Sequence, residues 1–168
     1  MKLPDVSPDS VGAGPPARGA IQPAPCWELN MDRQKPVSHI MTRDVIGVQI
    51  DKKVSDVRRL LADRPFHHVP VLRGRKLVGL LSMADLAPLT LGAYLDSPET
   101  IDAHLDARFT LAGIMTAEPE TVEPGDSVIR AAELLAPGRF HAVPVVDREG
   151  VLHGIVTTTD IVRYFLTL

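Results

Sequence analysis

The chain has 168 residues, 45% hydrophobic and 23% charged, with a net charge of −3, enough for one domain or two small ones sharing a core. The negative charge and the 4% of aromatic residues count against a nucleic-acid binder, which needs a basic surface and stacking rings. A lone Cys26 excludes an internal disulfide, residues 1–10 carry no signal-like apolar stretch, and no apolar run nears the ~18 residues of a membrane span. This is the profile of a soluble cytoplasmic protein.

Residues 1–36 hold seven prolines and three glycines, so a flexible tail over 1–35 is expected, with Trp27 and Leu29 able to dock on the folded body. Residues 45–48 read as a short strand. Residues 53–62 carry Val54, Val57, Leu60 and Leu61 at helical spacing. Two apolar runs, 69–72 and 77–81, flank Gly74 and predict a hairpin, followed by a helix over 82–89. A linker over 90–108 has an N-cap signature at Ser97-Pro98, then Ile101, Leu105 and Phe109 every fourth residue, which predicts a helix lying on the body.

The chain then repeats itself. At an offset of 74, Ile40-Met41-Thr42 matches Ile114-Met115-Thr116, Phe66-His67 matches Phe140-His141, and Val69-Pro70-Val71 matches Val143-Pro144-Val145. One residue enters at the turn Asp147-Arg148-Glu149-Gly150, and the offset becomes 75. The second copy predicts a strand at Thr121-Val122, a helix over 127–136 capped by Asp126 or Ser127, strands over 143–146 and 152–156, and a helix over 157–166. Repeat 1 spans 36–89 and repeat 2 spans 109–168. A unit of ~55 residues has too little core to stand alone, so the copies should pack on each other.

Each copy carries Gly, two aliphatics, Ser/Thr, two variable residues and Asp: Gly79 to Asp85, and Gly154 to Asp160. Read plainly, this is a strand running into a helix closed by a capping box. A helix start with a carboxylate one turn in also suits a phosphorylated sugar, the N–H groups facing phosphate and the carboxylate accepting from ribose hydroxyls.

Taken together, the Ile-Met-Thr openers, the Val-Pro-Val strands and the paired Gly-Asp motifs, in this order over roughly 36–168, resemble a tandem pair of cystathionine β-synthase (CBS) domains. The resemblance implies an α+β fold of two β-α-β-β-α repeats related by a pseudo-twofold axis and packed sheet to sheet, with two composite clefts. It implies that Asp160, Thr157 and Thr158 face Ile46, Phe66 and His67, and that Asp85 and Ser82 face Thr121, Phe140 and His141. In that arrangement the carboxylates take ribose and the Phe-His pairs meet adenine. Arg43, Arg139 and Arg163 are candidate phosphate contacts, although each could equally be solvated surface charge. The plain alternative for Phe66 and Phe140 is core packing, and His67-His68 is no metal site if strand neighbours point to opposite faces. Thr157-Thr158-Thr159 offers more hydroxyls than Ser82-Met83-Ala84, which favours the second motif.

No nucleophile–base pair, metal cluster or phosphate-binding glycine loop stands in the sequence, so no catalysis is expected. The resemblance implies a regulatory module binding an adenosine derivative (AMP, ADP or ATP), pairing into a homodimeric disc and reporting to a partner protein. An S-adenosylmethionine or dinucleotide sensor and a structural adaptor with filled clefts are the alternatives. No nucleic acid and no membrane is expected among its partners.

Overall fold

The computed structural model describes residues 34–90 and 97–167, and the expected tail with Trp27, Leu29 and Cys26 lies outside the described residues apart from its last two positions. The first half runs through a 3-10 turn (Val37–His39), β1 (Val48–Gln49), α1 (Val54–Asp63), β2 (His68–Arg73), β3 (Lys76–Ser82) and α2 (Met83–Thr90). After the linker helix α3 (Pro98–Arg108) come α4 (Leu111–Ile114), β4 (Thr116–Ala117), α5 (Val128–Leu135), β5 (Ala142–Val146), β6 (Leu152–Thr157) and α6 (Thr158–Phe165).

Equal spacing builds equal packing. Helix α1 buries Val54, Val57 and Leu61, and α5 buries Val128, Ala131 and Leu135, the same i, i+3, i+7 stripe. The hairpins turn at Gly74 and Gly150, whose φ values of 65° and 82° fall in the left-handed region open to glycine. In the first sheet β1 runs parallel to β2, β2 antiparallel to β3, and β3 antiparallel to β4. The second sheet repeats that order in reduced form: a parallel bridge Val122↔Val145, the β5–β6 ladder, and an antiparallel bridge Thr42↔Ile155.

The first strands are shorter than the sequence suggests. Val45 N–H turns back to the Arg43 carbonyl at 2.9 Å, so the ladder starts only at Val48. The expected strand at Thr121-Val122 shrinks to the Val122 bridge, hemmed in by Pro119 and Pro124, which cannot donate to a ladder.

The openers are exchanged between halves. Val37 N–H donates to the Asp126 carbonyl at 2.7 Å, Val128 N–H donates to the Lys35 carbonyl at 2.8 Å, and Val37 is fully buried in the core of the second half. Thr42 and Ile155 exchange both backbone hydrogen bonds, at 2.9 and 3.0 Å. In return Leu111, Ile114 and Met115 enter the core of the first half, and β4 pairs with β3. The motif glycines explain the fit. A Cβ on Gly154 would stand 2.7 Å from both Met41 Sδ and the Thr42 carbonyl oxygen, and one on Gly79 would collide with the Met115 side chain. What comes close to these glycines is the opposite opener.

Between the sheets Leu80, Ala142 and Ile155 form a small shared core with Val45. The hairpin ends are stitched by Leu77 N–H to the Gly150 carbonyl at 2.9 Å and Leu152 N–H to the Arg75 carbonyl at 3.2 Å. The fold is therefore α+β, two β-α-β-β-α units about a pseudo-twofold axis.

The linker helix starts as its sequence suggests, with the Ser97 hydroxyl accepting from Thr100 N–H and Pro98 in the first turn. Ile101 and Leu105 pack on the first core, while Phe109 is the residue that ends the helix. Helix α1 has no side-chain cap of its own, since Lys53 occupies that position. Asp106 of α3 supplies one, accepting from Ser55 N–H at 3.0 Å and Ser55 Oγ at 2.8 Å. Asp102, 6% exposed, accepts from Arg58 Nε at 2.6 Å and Arg59 Nε at 2.7 Å. The Arg58 hydrogen bond, then that of Arg59, hold its carboxyl below the ordinary range against the opposing effect of burial.

Candidate functional site

Thr157 ends β6 and caps α6. Asp160 Oδ2 accepts from Thr157 N–H at 2.9 Å and from Thr157 Oγ1 at 2.7 Å, while Asp160 N–H donates to that hydroxyl at 3.3 Å, which completes a capping box. Both cap bonds fall on one carboxylate oxygen. Among the described residues the other, Oδ1, has only Arg163 Nη1, at 3.5 Å. The cap therefore occupies one carboxylate oxygen and leaves the other outside it. Asp85 repeats the arrangement, its Oδ2 accepting from Ser82 N–H and Ser82 Oγ at 2.7 Å each.

The helix start is partly used as well. Thr158 N–H donates to the His141 carbonyl at 3.1 Å, as Met83 N–H does to His67. The Thr158 hydroxyl also donates to the His141 carbonyl, at 3.5 Å, so among the described residues the Thr159 N–H and hydroxyl stand at the positive end of α6 without a partner there.

These groups open onto a cleft of roughly 940 Å³, at the upper end of small-molecule sites. One wall comes from the segment before β1 (Thr42, Asp44, Val45, Ile46) and from the α1–β2 loop (Arg64, Pro65, Phe66, His67). The other comes from Ile155 and Thr157 of β6 and from Thr158, Thr159, Asp160 and Arg163 of α6, with His68 and His141 at the junction. Two guanidinium groups and three imidazoles stand against the carboxylates of Asp44 and Asp160.

Of the residues singled out in the sequence, the cleft gathers Asp160, Thr157, Thr158, Ile46, Phe66, His67 and Arg163. His141 lies here too, although the resemblance assigned it to the other cleft. Ser82, Asp85, Thr121, Phe140, Arg43 and Arg139 lie outside this cavity. Arg43 Nη2 donates to the Ser38 carbonyl at 2.7 Å, and Phe140 packs on the second core. The pairs Val48↔Val71 and Val122↔Val145 fix the internal register, so Glu120, not Thr121, stands where Ile46 stands, and Glu118 where Asp44 stands. The position equivalent to Arg163 is Pro88, inside α2.

His68 had no assigned role in a ligand site. The sequence reading set it opposite His67, but β2 begins only at His68, so His67 precedes the strand and both rings reach the cleft. Burial first, then the neighbouring His141 and His67 imidazoles, hold His68 below the ordinary histidine value, with Asp85 acting the other way. Thr42, Asp44, Arg64 and Pro65 were also missed. Arg64-Pro65 immediately before Phe66 and the Thr of the opener were the available signals. Among the described residues no group of three or more His, Cys, Asp or Glu is placed to hold a metal ion, and no helix is long and apolar enough to cross a membrane.

The family model for the CBS domain matches residues 37–89 and 111–167. The chain is 28% identical over 137 residues to the uncharacterized protein MJ1225 of Methanocaldococcus jannaschii, covering 80% of this chain and 49% of that protein. It is similar in structure to CBSX2 in complex with AMP, with a TM-score of 0.67 and 28% identity over 79% of this chain and 97% of the other. It is also similar to the CBS domain pair of MJ0100 in complex with 5'-methylthioadenosine and S-adenosyl-L-methionine, with a TM-score of 0.65 and 25% identity over 79% of this chain and 97% of that one. The chain spans 24% to 49% of the length of the first four curated relatives it matches.

Proposed function

The chain belongs to the CBS-domain family, and on that footing we propose that it is a non-catalytic regulatory module whose cleft takes a phosphorylated adenosine such as AMP, ADP or ATP. The observation that carries this reading is the Asp160 Oδ1, left outside the cap and paired loosely with Arg163 at 3.5 Å, in a cleft with Arg64 and three imidazoles. A carboxylate oxygen suits a ribose hydroxyl, and guanidinium groups with threonine hydroxyls suit phosphate. The Ile46 and Phe66 side chains offer an apolar seat for a base. Arg64 and Arg163 favour a phosphate over the sulfonium of S-adenosylmethionine, which they would repel. The solved relatives named above hold AMP or S-adenosylmethionine, which supports an adenosyl ligand without choosing between the two.

Ligand would touch Ile46 and His67 of one half and Thr158 and Asp160 of the other, so occupancy ties the halves together and favours one arrangement of them. Titration calorimetry with AMP, ADP, ATP and S-adenosylmethionine tests the reading. Saturable binding of at least one phosphorylated adenosine, tighter than S-adenosylmethionine, is the expected result. Absence of binding by all four at millimolar ligand overturns it. Val162, Phe165 and Leu166 on and just after α6 and Met83 on α2 are exposed apolar side chains, which supports self-association into a homodimer. Sedimentation velocity showing a monomer at tens of micromolar removes that part of the proposal.

A further inference from the structure

Arg163 and Asp160 also line a second cavity, roughly 340 Å³, whose other polar walls are Lys35, His39, Tyr164 and Thr167. Lys35 and His39 belong to the opener that packs on the second half, and the rest belong to α6 and the residues after it. Lys35 Nζ sits 5.6 Å from the centre of the Tyr164 ring. Among the described residues neither Lys35 Nζ nor the His39 ring has a hydrogen-bond or ion-pair partner. Arg163, among the described residues, reaches only Asp160. Among the described residues that carboxylate is the single anion on the wall, and its Oδ2 already accepts two bonds from Thr157. The Thr167 hydroxyl donates to the Tyr164 carbonyl at 2.8 Å, and the buried Tyr164 hydroxyl has no partner among the described residues.

The fold does not require charge here. The pseudo-symmetric counterparts of Lys35, His39, Arg163 and Tyr164 are Phe109, Gly113, Pro88 and Leu89. Phe109 and Leu89 close the corresponding place by packing on the first core. One half seals this position with apolar side chains, and the other leaves a concavity with two cationic side chains and an imidazole. Convergent donors without a matching anion form a site for a doubly charged oxyanion.

We propose that the cavity between Lys35, His39 and Arg163 is a phosphate-class subsite joined to the nucleotide cleft through Arg163. Its occupant is either the outer phosphates of a nucleotide seated in the cleft or free inorganic phosphate. Only the first source rests on the nucleotide reading of the cleft.

The test is calorimetric titration of the full chain and of a Lys35→Gln/His39→Gln double variant. Each is titrated with AMP, with ATP, and with inorganic phosphate both alone and in the presence of excess AMP, and circular dichroism confirms folding. Losing two charge-assisted contacts should weaken the subsite's anion about tenfold or more. If the anion is the nucleotide's own tail, ATP weakens by that factor, AMP changes by less than about twofold, and Lys35→Arg restores most of the loss. If it is free phosphate, phosphate binds the AMP-saturated wild type and not the double variant. Equal ATP affinity in both proteins, together with no phosphate binding sensitive to the substitutions, overturns the subsite even while AMP binding leaves the cleft reading intact. Failure of AMP and ATP to bind either protein, with phosphate binding still lost in the double variant, overturns the cleft reading and supports the subsite. No binding of any probe overturns both.

Discussion

The Thr157–Asp160 end of the second half and the Ser82–Asp85 end of the first hold their carboxylates alike, with two cap bonds on one oxygen in each. Around that shared cap almost everything else differs. Ile46 and Arg163 line the cleft at the second motif and Lys35 the cavity beside it, where the first half has Glu120, Pro88 and Phe109 at the equivalent positions. The feature present in both halves builds the fold, and the features present in one half are where recognition should be sought. Glu118 and Glu120 would meet an anionic ligand at the first motif with like charge.

The largest effect expected from breaking this comparison comes from the glycines. Gly154→Ala drives a methyl against the Thr42 backbone carbonyl, which cannot move without losing its ladder bonds, and should cost about 2–3 kcal/mol in chemical denaturation. Gly79→Ala meets the flexible Met115 side chain instead and should cost about 1 kcal/mol. Equal losses would show that the two openers are seated alike. Next comes the latch of α3 on α1, which the second half lacks because α5 is capped by its own Ser127. Asp102→Ala strands Arg58 and should cost about 2 kcal/mol. Hydrogen exchange should rise in α1 and α3 and stay unchanged in α5. Uniform change across the chain would contradict a local latch.

A smaller effect follows from pH. His68 has Ala142 as its counterpart, so only one half carries this half-buried imidazole. Its folded value lies below the unfolded one, so the unfolded chain binds more protons, and stability falls as pH drops from about 6.5 through the folded value. His68→Ala should flatten that part of a stability-versus-pH curve. An unchanged slope would assign the loss to other groups.

The fold was legible because the repeat is legible. The offset of 74, the helical stripes of α1 and α5 and the turn glycines name the hairpins and helices of both repeats, and the Ser97-Pro98 cap names α3, while α4 and β4 went unread. The exchange of openers was not, because Val37 and Met41 pack against residues of the other repeat, far along the chain, and no local pattern records that. The α3 latch was hidden too, since Asp102 and Asp106 read as ordinary helix surface until the helix is docked. At the cleft, Asp160 and its threonines stood out by motif, whereas Glu120 was missed by a one-residue slip in a strand too short to fix its own register.

The asymmetry of the two motifs is tested most directly by calorimetric stoichiometry with AMP on the wild type, Asp160→Ala and Asp85→Ala. Each substitution removes a cap and should cost about 1 kcal/mol of stability, so both variants lose a similar amount. One AMP should bind per wild-type chain, about 10–100-fold weaker in Asp160→Ala and within about twofold of wild type in Asp85→Ala. Two equivalent sites per chain, or an affinity that falls with Asp85→Ala and not with Asp160→Ala, would contradict it.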